Sequence, residues 1–324
     1  MTATTTRRPA PSTGAGRPGR RRRLASLRGN AGGQAGLAAL LLLPAALVVF
    51  GVVLYPAARA LIISFFDVDS PFPGTYPFRG LANYTDILTS ERFWTTARHT
   101  LYFTVVSTAA ELVLGVGLAL LLNAPLRMRW LFRAVVILPW ALPTIVNGAM
   151  WRWILNAEYG VLNAILTQLH LQDGYRVWLG SDPFLALNLV VAADVWKNTP
   201  LVAFFLLAGL QTIPRELHEA ARVDGAGPVS SFFRITLPLL LPTVAIVLVL
   251  RTIEAFKVFD IIYVMTGGGP AGGTQTITFL TYLQAFSAQR FSYGAALAYV
   301  TVAAILLLAV IYLRLLRQSE MRAP

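Results

Sequence analysis

The chain has 324 residues, of which 56% are hydrophobic and only 13% charged, whereas an ordinary soluble domain carries about 25% charged residues. The absence of cysteine excludes disulfides, haem attachment and thiolate metal sites. The formal charge of +12 does not indicate nucleic acid, because the arginines behind it alternate between the two ends of apolar segments instead of forming one patch.

Residues 1–33 are rich in Arg, Gly, Thr and Pro, bury almost nothing and are expected to form a disordered basic tail. A rival reading makes this tail the start of a secretory signal, with "PAARA" near its cleavage site and "RR" hinting at twin-Arg export. The apolar run that follows is longer than a signal core, and cleavage would remove the inner end that the charge pattern requires. Six apolar segments come next, at Leu37 to Phe66, Leu101 to Leu122, Ala134 to Trp153, Phe184 to Leu210, Leu239 to Val264 and Tyr293 to Leu313. A bilayer core of about 30 Å needs about 20 apolar residues per helix. The expected fold is therefore all-α integral membrane, with six transmembrane helices in a single domain over 34–316. The first segment exceeds one perpendicular crossing and is expected to continue as an outer helix; the third is short.

Basic residues fix the orientation. Arg7 to Arg28 precede the first span, Arg127, Arg129 and Arg133 follow the second, Arg215, Arg222 and Arg234 follow the fourth, and Arg314, Arg317 and Arg322 follow the sixth. The opposite side holds only Arg79, Arg92, Arg98, Arg176 and Arg290. Positive residues stay inside, so both termini, including a tail at 317–324, are expected in the cytoplasm of a multi-pass bacterial plasma-membrane protein. The Arg-rich tail adds a pull toward anionic lipid. The outer loops, Asp67 to Arg98, Leu155 to Pro183 and Thr266 to Arg290, combine turn signals with aromatic residues and are expected to be ordered caps.

Ionisable groups inside a span are costly unless paired or facing a polar path. Glu111 in the second span is read as a packing or partner contact. Arg59 and Arg152, near span ends, are read as snorkelling. Asn147, Trp151 and Trp153 end the third span, where they could line the path, although tryptophan at a span's outer end usually anchors at the interface. In the fourth span Asp194, Lys197 and Asn198 share a helical face.

The segment 211–238 between spans four and five turns polar. Pro214 suits a helix start and Gly225 a stop; between them Leu217, Ala220 and Ala221 share one face, with Arg215, Glu216, Glu219 and Arg222 elsewhere. "DGAGP" then forms a turn in which Asp224 can accept backbone N–H bonds, and Pro228 opens a second short helix. The stretch "EAARVDGAGPVSSFFRITLP" resembles the signature of binding-protein-dependent ABC importer permeases: EAA, three residues, Gly, nine residues, Ile, one residue, Leu-Pro. Glu219, Ala220, Ala221, Gly225, Ile235, Leu237 and Pro238 meet each position. The resemblance implies that the helix holding Glu219 is a cytoplasmic coupling helix, which docks on an ATPase subunit with Asp224 at its end.

The fifth span carries Arg251, Glu254, Lys257 and Asp260, and on a continuous helix Glu254, Lys257 and Ile261 share a face. "AFKVFDIIYVMTGGGPAGGTQTI" and "VWKNTPLVAFFLLAGLQTIP" resemble permeases of carbohydrate importers of the maltose and glycerol-phosphate types. The likeness covers roughly 40–315 and implies a sugar path through Asp194, Lys197, Asn198, Glu254, Lys257 and Asp260. Trp196, Phe256 and Tyr263 would cover the C–H faces of the sugar. Against this stands a plainer reading in which Glu254 with Lys257 and Asp194 with Lys197 neutralise one another at i, i+3, or these charges pair between spans to hold the bundle. Gly267 to Gly269 with Pro270 reads as an outer turn touching a binding protein.

A P-loop needs Gly-Lys-Ser/Thr, yet Lys197 is followed by Asn198 and Lys257 by Val258, and there are no other lysines. The chain is expected to have no catalytic or metal residues and no cofactor of its own, ATP and Mg belonging to a partner ATPase. No HExxH or GxSxG pattern occurs, and His99, His170 and His218 are isolated. The partners implied by the resemblance are a second, homologous permease in a heterodimer, an ABC ATPase dimer, an extracytoplasmic solute-binding protein and a sugar solute; no nucleic acid is expected. The alternatives are a permease for a non-sugar solute, a membrane-bound transferase or a stand-alone secondary transporter.

Overall fold

The computed structural model describes residues 40–69, 76–125 and 127–320. The expected tail at 1–33 lies outside these residues, as do 321–324 of the C-terminal tail. The chain divides into two units at Arg59 and Ala60. The first apolar helix, α1 (Leu40–Ile63), begins in the first unit and closes in the second. It has 24 residues, so the expected extension to Phe66 is not helical; Phe66 instead forms an antiparallel bridge with Phe78.

The second unit continues with α2 (Ala82–Thr89), α3 (Glu91–Asn123), α4 (Arg129–Ala141), α5 (Thr144–Ile154), α6 (Val161–Gln168), α7 (Pro183–Leu210) and α8 (Arg215–Val223). It ends with α9 (Pro228–Phe256), α10 (Asp260–Met265), α11 (Ile277–Tyr282) and α12 (Phe291–Glu320). Among the described residues five helices are long and apolar enough to cross a membrane, or six crossings if the bent pair α4 and α5 counts as one.

Further boundaries differ from expectation, each for a local reason. Helix α3 starts at Glu91, so Glu91 to Thr100 are helical and its 33 residues reach about 50 Å. Ser90 caps it by accepting a hydrogen bond from the Phe93 N–H at 3.4 Å, and Glu91 suits the positive end of the helix dipole. The third crossing is not one straight helix: α4 and α5 meet at 90°. Pro143 drives Leu142 out of the helical region to φ −71°, ψ 135°. Helix α9 begins at Pro228, in the first-turn position where a missing N–H costs nothing. The second short helix of the polar segment is thus the opening of the fifth span. A π turn at Phe232–Thr236 precedes Pro238 and widens the backbone where the proline ring would crowd the carbonyl of Arg234.

The same span stops at Phe256, eight residues before the expected end, and resumes as α10 after a break at Lys257–Phe259. The Thr276 hydroxyl donates to the Val258 carbonyl that the break leaves open, at 3.1 Å.

Helix α7 is the enclosed element: 61% of its apolar window is buried, against 22% for α9 and for α12. One core cluster joins Phe103 of α3, Leu187 and Val190 of α7, Ile261 and Ile262 of α10 and Phe279 of α11. A second joins Ala119, Val202, Leu206, Leu240 and Val247. Helices α3 and α7 approach closely at Gly115, where a Cβ would stand 2.5 Å from Val202 Cγ1. Gly115→Leu is therefore expected to cost about 1–3 kcal/mol through overpacking, read as a lower thermal midpoint of the detergent-solubilised chain. An unchanged midpoint would mean that the two helices are not held together here.

Candidate functional site

The polar residues of α7, α9 and the break after α9 converge. Asp194, Lys197 and Asn198 from α7, Arg251 and Glu254 from α9, Lys257 from the break and Asp260 at the start of α10 line one cavity of ≈ 260 Å³. A neighbouring cavity of ≈ 540 Å³ shares Lys197, Asn198, Arg251 and Glu254 and is walled by Trp140, Phe205 and Leu250. The break at Lys257 means that Glu254, Lys257 and Ile261 do not lie on one continuous helix. Lys257 caps α9, and Asp260 opens α10.

Behind the cavity lies a buried ion cluster. Arg251 donates from Nε to Glu111 Oε2 at 2.6 Å and from Nη2 to Glu111 Oε1 at 2.8 Å, a bidentate fork. Its Nη2 also reaches Asp194 Oδ2 at 3.4 Å. Asn198 Nδ2 donates to Asp194 Oδ1 at 2.9 Å and to the Asp194 carbonyl at 3.1 Å. Glu111 is fully buried and Asp194 and Arg251 nearly so. One guanidinium therefore ties spans α3, α7 and α9 together.

Glu111 is thus a partner of Arg251 within the chain, and the sequence reading missed Arg251 as a determinant of the site. The signal was available: an intramembrane acid and an intramembrane arginine, each on a different span, need one another. The Asp194–Lys197 neutral pair considered from sequence is not formed at contact distance, because Asp194 is engaged by Arg251 and Asn198. Lys197 and Asp260 make no hydrogen bond or close ion pair among the described residues. Glu254 and Lys257 do pair, at 2.9 Å, with side chains 57% and 51% exposed.

The aromatic wall also differs from expectation. Phe256 is buried in a core cluster with Ile87, Phe93 and Leu280, away from the cavity. The cavity is faced instead by Phe259, which stacks on the half-exposed Tyr263 at a centroid distance of 5.5 Å. Tyr282 packs on both; outside the spans, its hydroxyl is held above the usual phenol range by the neighbouring Tyr263 hydroxyl. Trp196 is 39% exposed and meets Trp151 edge-on at 5.9 Å. Asn147 is fully buried, donating to the Ala193 carbonyl at 3.3 Å. Its Oδ1 and the buried Trp151 Nε1 have no partner among the described residues. Only Trp153, which is exposed, remains suited to an interface anchor.

At the other end of α9 lies the polar segment. Helix α8 presents Glu219 and Ala220 outward and buries Ala221. It closes with a paired cap: the Gly225 N–H donates to the Arg222 carbonyl at 3.1 Å and the Ala226 N–H to the Ala221 carbonyl at 2.8 Å. Gly225 has φ +79°, the left-handed conformation this cap demands, and Asp224 holds the cap position. Ile235 and Leu237 are half-buried and Pro238 exposed, all within the opening turns of α9.

The chain is similar to known proteins over most of its length. The family described as "Binding-protein-dependent transport system inner membrane component" matches residues 111–323. The sulfoquinovosyl glycerol transport system permease protein of Agrobacterium fabrum is 40% identical over 88% of this chain and 91% of its own length. The trehalose/maltose transport system permease protein of Thermococcus litoralis is 41% identical over 87% of this chain and 94% of its own. Among solved structures, a chain of a bacterial ABC transporter that imports the acidic polysaccharide alginate superposes with a TM-score of 0.77. It covers 90% of this chain and 99% of that one at 22% identity, a likeness of fold.

Proposed function

The chain belongs to the family of binding-protein-dependent transport system inner membrane components, and on that premise we propose that its α7–α9 cavity is one wall of a sugar path. It is a multi-pass membrane permease subunit of a carbohydrate-type ABC importer and is not itself an enzyme. The observation that carries the proposal is the cavity shared by Asp194, Lys197, Asn198, Glu254, Lys257 and Asp260 between membrane-crossing helices. Carboxylates, amides and ammonium groups exchange hydrogen bonds with sugar hydroxyls, and Phe259 and Tyr263 offer faces for C–H surfaces. The relatives act on sulfoquinovosyl glycerol and on trehalose or maltose by name, which supports a glycoside as solute.

In this reading the cavity opens toward a second, homologous permease. The half-exposed pair of Glu254 and Lys257 supports it, since such a pair at membrane depth calls for a polar surface opposite. Helix α8 lies in the cytoplasm and docks through Glu219 and Ala220 on an ATPase dimer, and a solute-binding protein delivers the sugar from outside. ATP binding by that dimer stabilises one of two conformations of the permease pair and hydrolysis releases it. Both termini are cytoplasmic.

The test is uptake into vesicles holding the assembled complex. An exposed ion pair contributes about 0–1 kcal/mol to folding, so the double variant Glu254→Ala with Lys257→Ala is expected to assemble normally. Uptake should nevertheless fall about tenfold or more, as expected when hydrogen-bonding groups to a solute are removed. Normal uptake with unchanged solute affinity would return this pair to a structural role.

A further inference from the structure

Helix α8 has a second face. One helical turn apart, His218 and Arg222 share a face and line a groove of ≈ 600 Å³, to which Glu216, Glu219 and Val223 do not contribute. The far wall of that groove is the opening of α9, with Ser231, Phe232 and Phe233, and its floor includes Leu120, near the end of α3. The groove therefore lies where two membrane-crossing helices end. Its polar and apolar parts are segregated. His218 Nδ1 and Ser231 Oγ share a hydrogen bond of 3.1 Å, and the exposed Arg222 guanidinium has no partner among the described residues. Phe233 is 61% exposed and Val229 70% exposed beside them.

We propose that this groove binds the headgroup of an anionic phospholipid of the inner leaflet. A guanidinium takes a phosphate through two parallel N–H bonds, and the Ser231 hydroxyl stands ready for a further phosphate or glycerol oxygen. Leu120 and Phe233 give the start of an acyl chain an apolar wall continuous with the spans. Basic pockets between helix ends on the inner side suit such headgroups. Glu219 and Ala220, proposed to meet the ATPase, do not line the groove, and the inference rests on the cytoplasmic placement of α8 proposed above.

The chain, with whatever subunits co-purify, is stripped of lipid in detergent and titrated with phosphatidylglycerol or phosphatidylcholine, bound lipid being read by native mass spectrometry. Phosphatidylglycerol is expected to bind about tenfold more weakly to Arg222→Gln. Arg129→Gln, which does not line the groove, should match the unaltered chain, and phosphatidylcholine should not distinguish the variants. Equal retention of phosphatidylglycerol by the unaltered chain and Arg222→Gln overturns the proposal. Displacement by inorganic phosphate assigns the groove to a free anion, and displacement by added ATPase subunit assigns it to that docking surface; either outcome overturns it as well. Solute uptake is measured on the same variants, so a failure of the importer reading shows as absent uptake while the lipid titration stands apart.

Discussion

Arg251→Leu is expected to cost the folded chain about 3–5 kcal/mol, the penalty for stranding a buried charge. The replacement leaves Glu111, fully buried, without the two bonds at 2.6 Å and 2.8 Å that now satisfy its carboxylate. Asp194 keeps Asn198 but loses its cation. The carboxylates can escape only by taking up protons or by drawing water in, and either opens the α3–α7–α9 junction. Thermal unfolding in detergent and the yield of assembled complex report the loss. The double variant Glu111→Gln with Arg251→Gln removes the stranded charge and should recover part of the midpoint. If Arg251→Leu unfolds at the same temperature as the unaltered chain, the cluster is not holding the three helices.

Gly225→Pro should act at the opposite end of α9, abolishing uptake while leaving the spans folded. Proline removes the N–H that closes the cap on the Arg222 carbonyl, and its ring fixes φ near −65°, whereas Gly225 sits at +79°. The turn must then be rebuilt, and α8 changes its direction relative to α9. A Cβ at this position would meet nothing within 4 Å, so Gly225→Ala tests conformation alone. It is expected to cost about 1–2 kcal/mol locally and to reduce uptake only in part. ATPase activity of the assembled complex that no longer responds to loaded binding protein, at an unchanged thermal midpoint, is the signature. Normal uptake by Gly225→Pro would remove the coupling role proposed for α8.

Much of the architecture was legible because apolar run length is a direct measure of bilayer crossing. The fourth span, Phe184 to Leu210 from sequence and Pro183–Leu210 in the structure, shows how closely that measure works. It fails where a proline ends a helix inside the run, as at Pro143, and where a span continues past the apolar core, as α3 does to Glu91. It also cannot place the stop at Phe256, since "KVFDII" stays apolar enough to continue. The polar residues of the cavity could be picked out because each charge at membrane depth demands an explanation. Which charge meets which could not, because the offset between spans leaves no periodic trace. Arg251 therefore looked like one of four charges on its span, although it is the one bonded across two others. Phe256 and Phe259 are three residues apart, and only the break between them puts the second, not the first, on the cavity.

Helix α9 links the two regions as one continuous helix. Its 29 residues run from Pro228, three residues beyond Gly225, to Phe256, beside Lys257. Such a rod is about 43 Å long. In mechanical terms it is a lever: a tilt of about 5° about one end carries the other through about 4 Å, given that length. A sugar hydroxyl and its hydrogen-bonding partner part company over less than that. On the coupling role proposed for α8 and the sugar path proposed at Lys257, a small rotation imposed at one end of this rod suffices for release at the other.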